Sequence, residues 1–409
     1  MRKLLFLASL AAACLAAGLV VSCGGVHDGE FDSESADLTQ PAEPIDDLSA
    51  SVSTVDYGGA SFRLSKLQIY TIDVAQGNST LIISPTGTTV LVDSGQYAFA
   101  TNQVVNLLNE LGVTHLDYSI ATHYDSDHIA SFCDIFDAIG VPTVVYDRGG
   151  DREASAASPT PAAFTNYLAC TGAARTQLTA GTTIALGGGV TLRVLAVGDP
   201  DFAGATSDYD TLWDGTRLSC ANTENEKSIS LLITYGKFDL LLSGDMTGVA
   251  DPPNQCSDDR LNVEGPVADL ITNTLDRTVE VLHLDHHGSQ ATSNSLAFLQ
   301  TLAPQVAVES AGDDLNCGPG FNQYGHPGQV VLDRLYSIAI KKIYQTEEAG
   351  ASYVNTPQAC TPASGQTYPR DYHGLAHDFL YSTHVHIASD SMRFWIENAT
   401  GTWDAYRAN

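Results

Sequence analysis

The chain has 409 residues, of which 44% are hydrophobic, enough for one large domain or two small ones and too apolar for wholesale disorder. Against 48 Asp and Glu stand 19 Lys and Arg, for a formal charge of −29. This balance excludes a broad basic surface for gripping nucleic-acid phosphates.

Arg2 and Lys3 precede an apolar run from Leu4 to Val21, which ends in Ser22-Cys23-Gly24-Gly25. A basic start, an apolar core and small closing residues describe an export signal over residues 1–22. The run approaches the roughly 18 residues of a membrane span, but Val20-Val21-Ser22-Cys23 resembles a bacterial lipobox. Cys23 is then acylated and becomes the mature N-terminus. The expected location is the bacterial cell envelope, with the membrane touched through the lipid anchor only. Gly24 rather than Asp after the Cys leans towards the outer membrane. Residues 23–61 are acidic, rich in Ser and Ala and without hydrophobic periodicity, and read as a flexible spacer.

From residue 66 strands and helices alternate within a hydrolase domain expected over 62–396. Residues 67–73, 79–84 and 88–93 read as strands, with Pro85-Thr86-Gly87 as a turn. Asn102 to Gly112 has Val105, Leu108 and Leu111 at helical spacing. A strand over 118–122, a helix over 129–139 and a strand over 142–146 follow. Residues 147–180 read as an insertion. Strands resume at 183–186 and 190–195, and those at 229–235 and 238–243 meet at Gly236-Lys237 as a hairpin. Strand–helix units cover 279–303 and 305–338, a last strand 383–396, and residues 397–409 read as a tail. Hairpins placed between βα units suggest two sheets with helices outside.

Setting aside Cys14 and Cys23 leaves six cysteines, an even number that suggests disulfides in an exported protein. Sequential pairing, Cys133–Cys170, Cys220–Cys256 and Cys317–Cys360, joins residues that flank loop-like segments. No C-x-x-C spacing supports thiolate metal ligands.

Chemistry gathers at strand ends. Thr122-His123-Tyr124-Asp125-Ser126-Asp127-His128 follows a strand and precedes a helix. Such a loop can fold imidazoles and carboxylates round metal, with His123 and Asp125 facing one ion and Asp127 and His128 a second. A solvated turn whose Asp caps the next helix is the plainer alternative. The strand 240–243 ends in Gly244-Asp245, a carboxylate able to bridge two cations. Another strand ends in Asp285-His286-His287-Gly288-Ser289. Neighbouring His side chains are expected to point different ways, so that one binds metal while the other touches substrate or orients a ligand. His384 and His386 share a strand face and read as surface or packing residues.

The order His-x-Asp-x-Asp-His, Ser-Gly-Asp245, His-His-Gly-Ser resembles the metallo-β-lactamase superfamily, in particular its ComEC-type competence-protein branch. Asp73-Val74-Ala75-Gln76-Gly77-Asn78-Ser79, Val92-Asp93-Ser94-Gly95 and Asn322-Gln323-Tyr324-Gly325-His326-Pro327 match further motifs of that branch. The resemblance implies an α/β fold, an αββα sandwich of two mixed β-sheets with helices on the outer faces. It also implies a hydrolase with two divalent metal ions, Zn or Mn, held by His123, Asp125, Asp127, His128, Asp245 and His286 or His287, with a lean towards His287. Asp125 stands where the wider superfamily has His, which hardens the site and favours Mn alongside Zn. Asn78 replaces the branch's Asp, and Ala75 a Gly. No His lies between residues 129 and 282 to act as the usual middle ligand, and Asn222-Thr223-Glu224-Asn225 occupies that place.

The ligand set implies a hydroxide drawn from a water between two ions, with Asp127 as ligand and orienter. His326 is expected to protonate the leaving group or contact substrate, unless it only caps the helix that follows Pro327. Ser289, Asn322 and Tyr324 are the remaining expected substrate contacts. The family points to DNA. The acidic composition disfavours nucleic acid and suits a small or zwitterionic phosphodiester. Other hydrolysis (nuclease, lactone or β-lactam) and a catalytically silent tethered binding module are the alternatives.

Overall fold

Segments such as Leu67–Ile72 and Phe238–Leu242 are buried at every position, as strands covered on both faces must be. The computed structural model describes residues 54–57, 60–63, 65–150, 161–197, 224–248, 262–290, 292–311, 326–346, 370–372, 384–398 and 402–409. All of them fall within one unit, residues 42–409. Cys23, Cys220, Cys256, Cys317, Asn322, Tyr324 and Cys360 lie outside the described residues.

A two-stranded hairpin, β1 (Thr54–Tyr57) and β2 (Ala60–Arg63), opens the described chain, so the expected spacer over 23–61 ends in ordered structure. β3 (Leu67–Ile72), β4 (Thr80–Ile83), β5 (Thr89–Val92), β6 (Tyr118–Ile120), β7 (Val144–Asp147) and β8 (Arg175–Gln177) then build most of the first sheet. With them come α1 (Tyr97–Glu110), α2 (Ser126–Ile129), α3 (Phe132–Ile139) and α4 (Pro161–Thr171). The second sheet holds β9 (Thr183–Gly187), β10 (Val190–Ala196), β11 (Ser230–Tyr235), β12 (Phe238–Leu242), β13 (Val281–His283), β14 (Val306–Glu309), β15 (Lys342–Gln345) and β16 (Arg370–Tyr372). Its helices are α5 (Glu264–Asp269), α6 (Leu296–Leu302) and α7 (Gln329–Ser337). β17 (His384–Ser389), β18 (Arg393–Glu397) and β19 (Trp403–Arg407) return to the first sheet.

The strand orders are β19-β18-β17-β3-β4-β5-β6-β7-β8 and β16-β15-β14-β13-β12-β11-β10-β9. Pairing is parallel from β5 to β8 and from β12 to β16, and antiparallel elsewhere. Alternation along each strand sorts its side chains. Val90, Val92, Leu231, Ile233, Val281 and Val306 fill the layer between the sheets. Leu91 packs with α1 and α3, and Leu232, Leu282 and Ala307 with α5, α6 and α7. The fold is therefore the αββα sandwich of two mixed sheets with helices outside.

The structure departs from several expectations, and the single strand expected over 383–396 turns back on itself as the antiparallel pair β17 and β18. The helix expected over 129–139 breaks after Ile129, because Ser94 N–H takes the His128 carbonyl at 2.8 Å and Ser131 N–H turns to Gly95 O. In the expected insertion, the described residues form α4 and the edge strand β8, and Cys133–Cys170 ties α4 to α3 with Cα atoms 5.6 Å apart. Residues 397–409 are not a tail. β19 pairs with β18, Tyr406 stacks on Phe394, and Ala408 is buried. No helix of the described residues is long and apolar enough to cross a membrane.

Candidate metal centre

The chemistry-bearing loops leave the carboxyl ends of parallel strands, where α/β folds place their sites. The end of β5 carries Asp93, that of β6 His123 to His128, that of β12 Asp245 and that of β13 His286 and His287. Buried Asp245 lies at the centre. Its Oδ1 is 3.1 Å from His128 Nε2 and 3.5 Å from His287 Nε2, and its Oδ2 is 3.8 Å from His123 Nε2 and 3.5 Å from His286 Nε2. Asp125 Oδ2 is 3.8 Å from His123 Nε2, and Asp127 Oδ2 is 3.4 Å from His287 Nε2. All seven residues expected to hold metal thus converge.

Hydrogen bonds on the far side of each ring decide what faces the centre. Asp93 Oδ2 lies 2.7 Å from His128 Nδ1 and takes its proton. Thr122 Oγ1 donates to Asp93 at 2.8 Å and so accepts from His123 Nδ1 at 3.1 Å. The Ser310 carbonyl accepts from His287 Nδ1 at 2.8 Å. In its neutral form each ring then turns an Nε2 lone pair inward. His123 Nε2, His128 Nε2, His287 Nε2 and Asp245 Oδ1 are buried without a hydrogen-bond partner among the described residues. Buried lone pairs beside three carboxylates are costly unless a cation satisfies them. The imidazole and carboxylate donors fit divalent metal, and Zn or Mn suits the mixture.

The charges agree. Burial pushes the Asp245 carboxyl up, but His286, His128 and His287 outweigh it and hold the group well below the usual range. Burial likewise opposes ionisation of Asp127, and the His287 contact with the charges of His128 and His287 reverses the sign. His128 would be lowered by burial, yet Asp245 and Asp93 raise it well above an ordinary imidazole; burial also lowers His287, and Asp245 and Asp127 outweigh it to raise that ring. His123 is pushed well down by burial and by His128. A cation entering here displaces protons from His128 and His287.

His286 and His287 sit at φ 49° and 53°, two consecutive left-handed residues that are not glycine. Such conformations cost about 1–3 kcal/mol each and persist where the surroundings over-determine them. The turn brings both rings to Asp245, correcting the expectation that neighbouring His point different ways. That expectation assumed an extended chain, whose successive side chains alternate.

His326 lies beside this turn, 5.7 Å between ring centres from His286. Pro327 backs Gly288, where any Cβ would meet its ring at 2.6 Å. The helix α7 starts after an N-cap at Gly328, so Pro327 stands outside its first turn and His326 is not its cap. Burial, then His286 and His287, push the His326 imidazole down to about 3, which leaves it neutral near pH 7. Ser289, expected as a substrate contact, follows directly, and its N–H closes the turn onto His286 O at 2.8 Å.

Residue-by-residue reading of the motifs missed Asp93 as an orienting group, although it stands in the quoted Val92-Asp93-Ser94-Gly95 segment. Asn78 Nδ2 donates to Asp93 Oδ2 at 3.2 Å, and Asn78 N–H to Asp127 O at 3.2 Å. An Asp at 78 would set two carboxylates against each other, so Asn78 supports the centre from behind. Of the segment expected in place of a middle ligand, Glu224 turns away to Arg148, while Asn225 Nδ2 lies 3.4 Å from both ring nitrogens of His286. His384 and His386 pack on Tyr70 as expected.

The family model of the metallo-beta-lactamase superfamily matches residues 72–300, more than half of the chain. Competence protein ComA of Neisseria gonorrhoeae is 26% identical over 290 residues, covering 68% of this chain and 31% of the relative. ComE operon protein 3 of Bacillus subtilis (strain 168) is 24% identical over 302 residues, covering 70% and 32%. The chain thus spans about a third of the length of the curated relatives it matches, which belong to the branch its motifs resemble. Among solved structures, a metallo-beta-lactamase from Staphylococcus aureus subsp. aureus COL matches at 16% identity and a TM-score of 0.34, covering 58% of this chain and 61% of that one.

Proposed function

The chain belongs to the metallo-β-lactamase superfamily and has its metal-dependent hydrolase fold, and from that premise we propose that it hydrolyses phosphodiesters with two divalent cations, Zn or Mn. The observation that carries this reading is Asp245, whose two carboxylate oxygens each face two inward-turned imidazoles. His123, Asp125, Asp127, His128, Asp245 and His287 would hold the ions, with His286 beside them. When bound, a pair of divalent cations lowers the pKa of water towards neutrality and offsets charge developing on phosphoryl oxygen.

The chain's own residues do the rest. Asp93, Thr122 and Ser310 hold the imidazoles in one tautomer, so no reorientation is needed during reaction. Asp127, anchored through its carbonyl to Asn78 N–H, is a ligand and can accept a hydrogen bond from the attacking water. A neutral His326 favours a substrate contact through its ring N–H over proton donation as imidazolium, and the sequence motif alone proposes Asn322 and Tyr324 as further contacts. Asp125 in place of an imidazole makes the donors oxygen-rich, which suits phosphoryl more than β-lactam or lactone chemistry.

A net charge of −29 favours a small or zwitterionic phosphodiester over a nucleic acid. The export signal supports action in the cell envelope on a lipid anchor at Cys23, and the competence proteins among its relatives agree with an envelope setting. The test uses metal-stripped protein given Mn²⁺ or Zn²⁺ and a chromogenic phosphodiester. Turnover is expected only with metal, and Asp127→Ala is expected to lower it at least 100-fold. A folded, metal-loaded protein without turnover would sink the diesterase reading and leave the binding module.

A further inference from the structure

We infer that His286 supplies, on the Oδ2 side of Asp245, the ligand that no histidine between residues 129 and 282 provides. The inference rests on the two-cation reading above and concerns how this chain divides its donors.

Two observations carry it independently. The first is the partition round Asp245. His128 and His287 approach Oδ1, at 3.1 and 3.5 Å, and Asp127 Oδ2 lies 3.4 Å from His287 Nε2. That group is complete with two imidazoles and two carboxylates. On the other oxygen stand His123, with Asp125 at 3.8 Å from its Nε2, and then His286, whose Nε2 is 3.5 Å from Oδ2. Counted without His286, this half has one imidazole. Counted with it, the two halves carry the same donors.

The second observation is a chain of hydrogen bonds that fixes the His286 tautomer. The Met246 carbonyl can only accept, so Ser293 Oγ donates to it at 2.7 Å. Ser293 has then used its proton, and the 3.2 Å contact between Thr292 Oγ1 and Ser293 Oγ must be donated by Thr292. Thr292 Oγ1, its own proton committed, accepts from His286 Nδ1 at 2.7 Å. Nδ1 therefore carries the ring proton, and Nε2 presents a lone pair to the Asp245 side. The same logic holds for His123 through Thr122 and for His287 through Ser310. A ring that only touched substrate would not need its far nitrogen locked in this way.

The donor that replaces the missing middle ligand thus comes from the turn after β13, one residue before His287, and the left-handed backbone at 286 and 287 lets neighbouring residues serve opposite oxygens. Asn225, in the segment where a middle ligand was expected, flanks this ring.

Metal content, measured by elemental analysis and by titration with Zn²⁺ or Mn²⁺ against a chelator, tests the division without reference to turnover. Wild-type protein is expected to bind two ions per chain, and fewer would overturn the two-cation reading itself. His286→Ala is expected to keep one ion at wild-type affinity and to weaken the other at least 10-fold. His286→Ala that keeps both ions, or loses both, overturns the inference while leaving the two-cation reading standing. Thr292→Val, which keeps the ligand and removes the acceptor of its Nδ1 proton, is expected to weaken the same ion by about 10-fold and decides the matter if the first variant fails to fold. Loss of that ion in Asn225→Ala, with both ions kept in Thr292→Val, would give the place to Asn225 and overturn it.

Discussion

Asp93 shows how much of the centre depends on a residue that binds no ion. Its carboxylate takes Thr122 N–H at 2.7 Å, Thr122 Oγ1 at 2.8 Å, Asn78 Nδ2 at 3.2 Å and His128 Nδ1 at 2.7 Å, all buried. With Asp245 it overcomes the burial that would lower His128 and raises that imidazole well above 6.5. In the metal-free protein His128 therefore holds a proton at neutral pH, and a cation must displace it. Metal affinity is expected to rise with pH up to the raised value and to fall as pH drops below it. Asp93→Asn removes part of the charge that raises His128, so the pH dependence is expected to move to lower pH. Affinity at the plateau is expected to drop by about 10–100-fold, because the ring loses its orienting carboxylate. Chelator competition across pH 5–9 reads both, and an unchanged profile would show that Asp93 does not control His128.

Between elements, Arg148 and Glu224 form a buried cross-link. Nε and Nη2 of Arg148 meet the two Glu224 oxygens at 2.7 and 2.9 Å, with exposures of 0% and 1%. Glu224 also accepts Tyr124 N–H at 3.0 Å, and the guanidinium lies 4.3 Å from the Tyr124 ring centre. The end of β7 and the turn before β11 thereby grip the loop between His123 and Asp125. The α4 helix adds Phe164 and Tyr167 against the same ring and is held by the disulfide to α3. Glu224→Gln leaves Arg148 buried without its counter-charge, and is expected to cost about 3–5 kcal/mol of unfolding free energy in urea titration. A loss below about 1 kcal/mol would mean that water reaches the guanidinium.

At the scale of the whole molecule, a charge of −29 repels polyanions before any site contact is made. Raising ionic strength from about 0.01 to 0.15 M shortens the screening length from about 30 to about 8 Å. Cleavage of single-stranded DNA, if any, is expected to speed up over that range, while a zwitterionic phosphodiester changes by less than about two-fold. DNA cleavage that falls steeply with salt would reveal a local basic groove and return nucleic acid as the substrate.

What the sequence determined by itself is what local order can carry. The alternation of apolar residues gave most strand and helix positions within a few residues, though 383–396 folds as two strands, and Gly112 and Gly236-Lys237 marked real ends and turns. His123 to His128 held its ligands within one loop, and an even cysteine count, with sequential pairing, led to Cys133–Cys170. Tertiary structure decided the rest. β17 pairs with β3 from more than 300 residues away, and β19 was hidden because its pattern makes sense only beside β18. Asp93 stood in a quoted family segment without a role until Thr122, Asn78 and His128 gathered round it. The roles of His286 and His287 could not be read from adjacency, because local rules predict opposite directions for neighbours in a strand. Packing of Gly288 on Pro327 and the hydrogen bonds to Thr292, Ser310 and Gly244 hold them in a left-handed turn, where contacts from distant segments outweigh the local backbone preference.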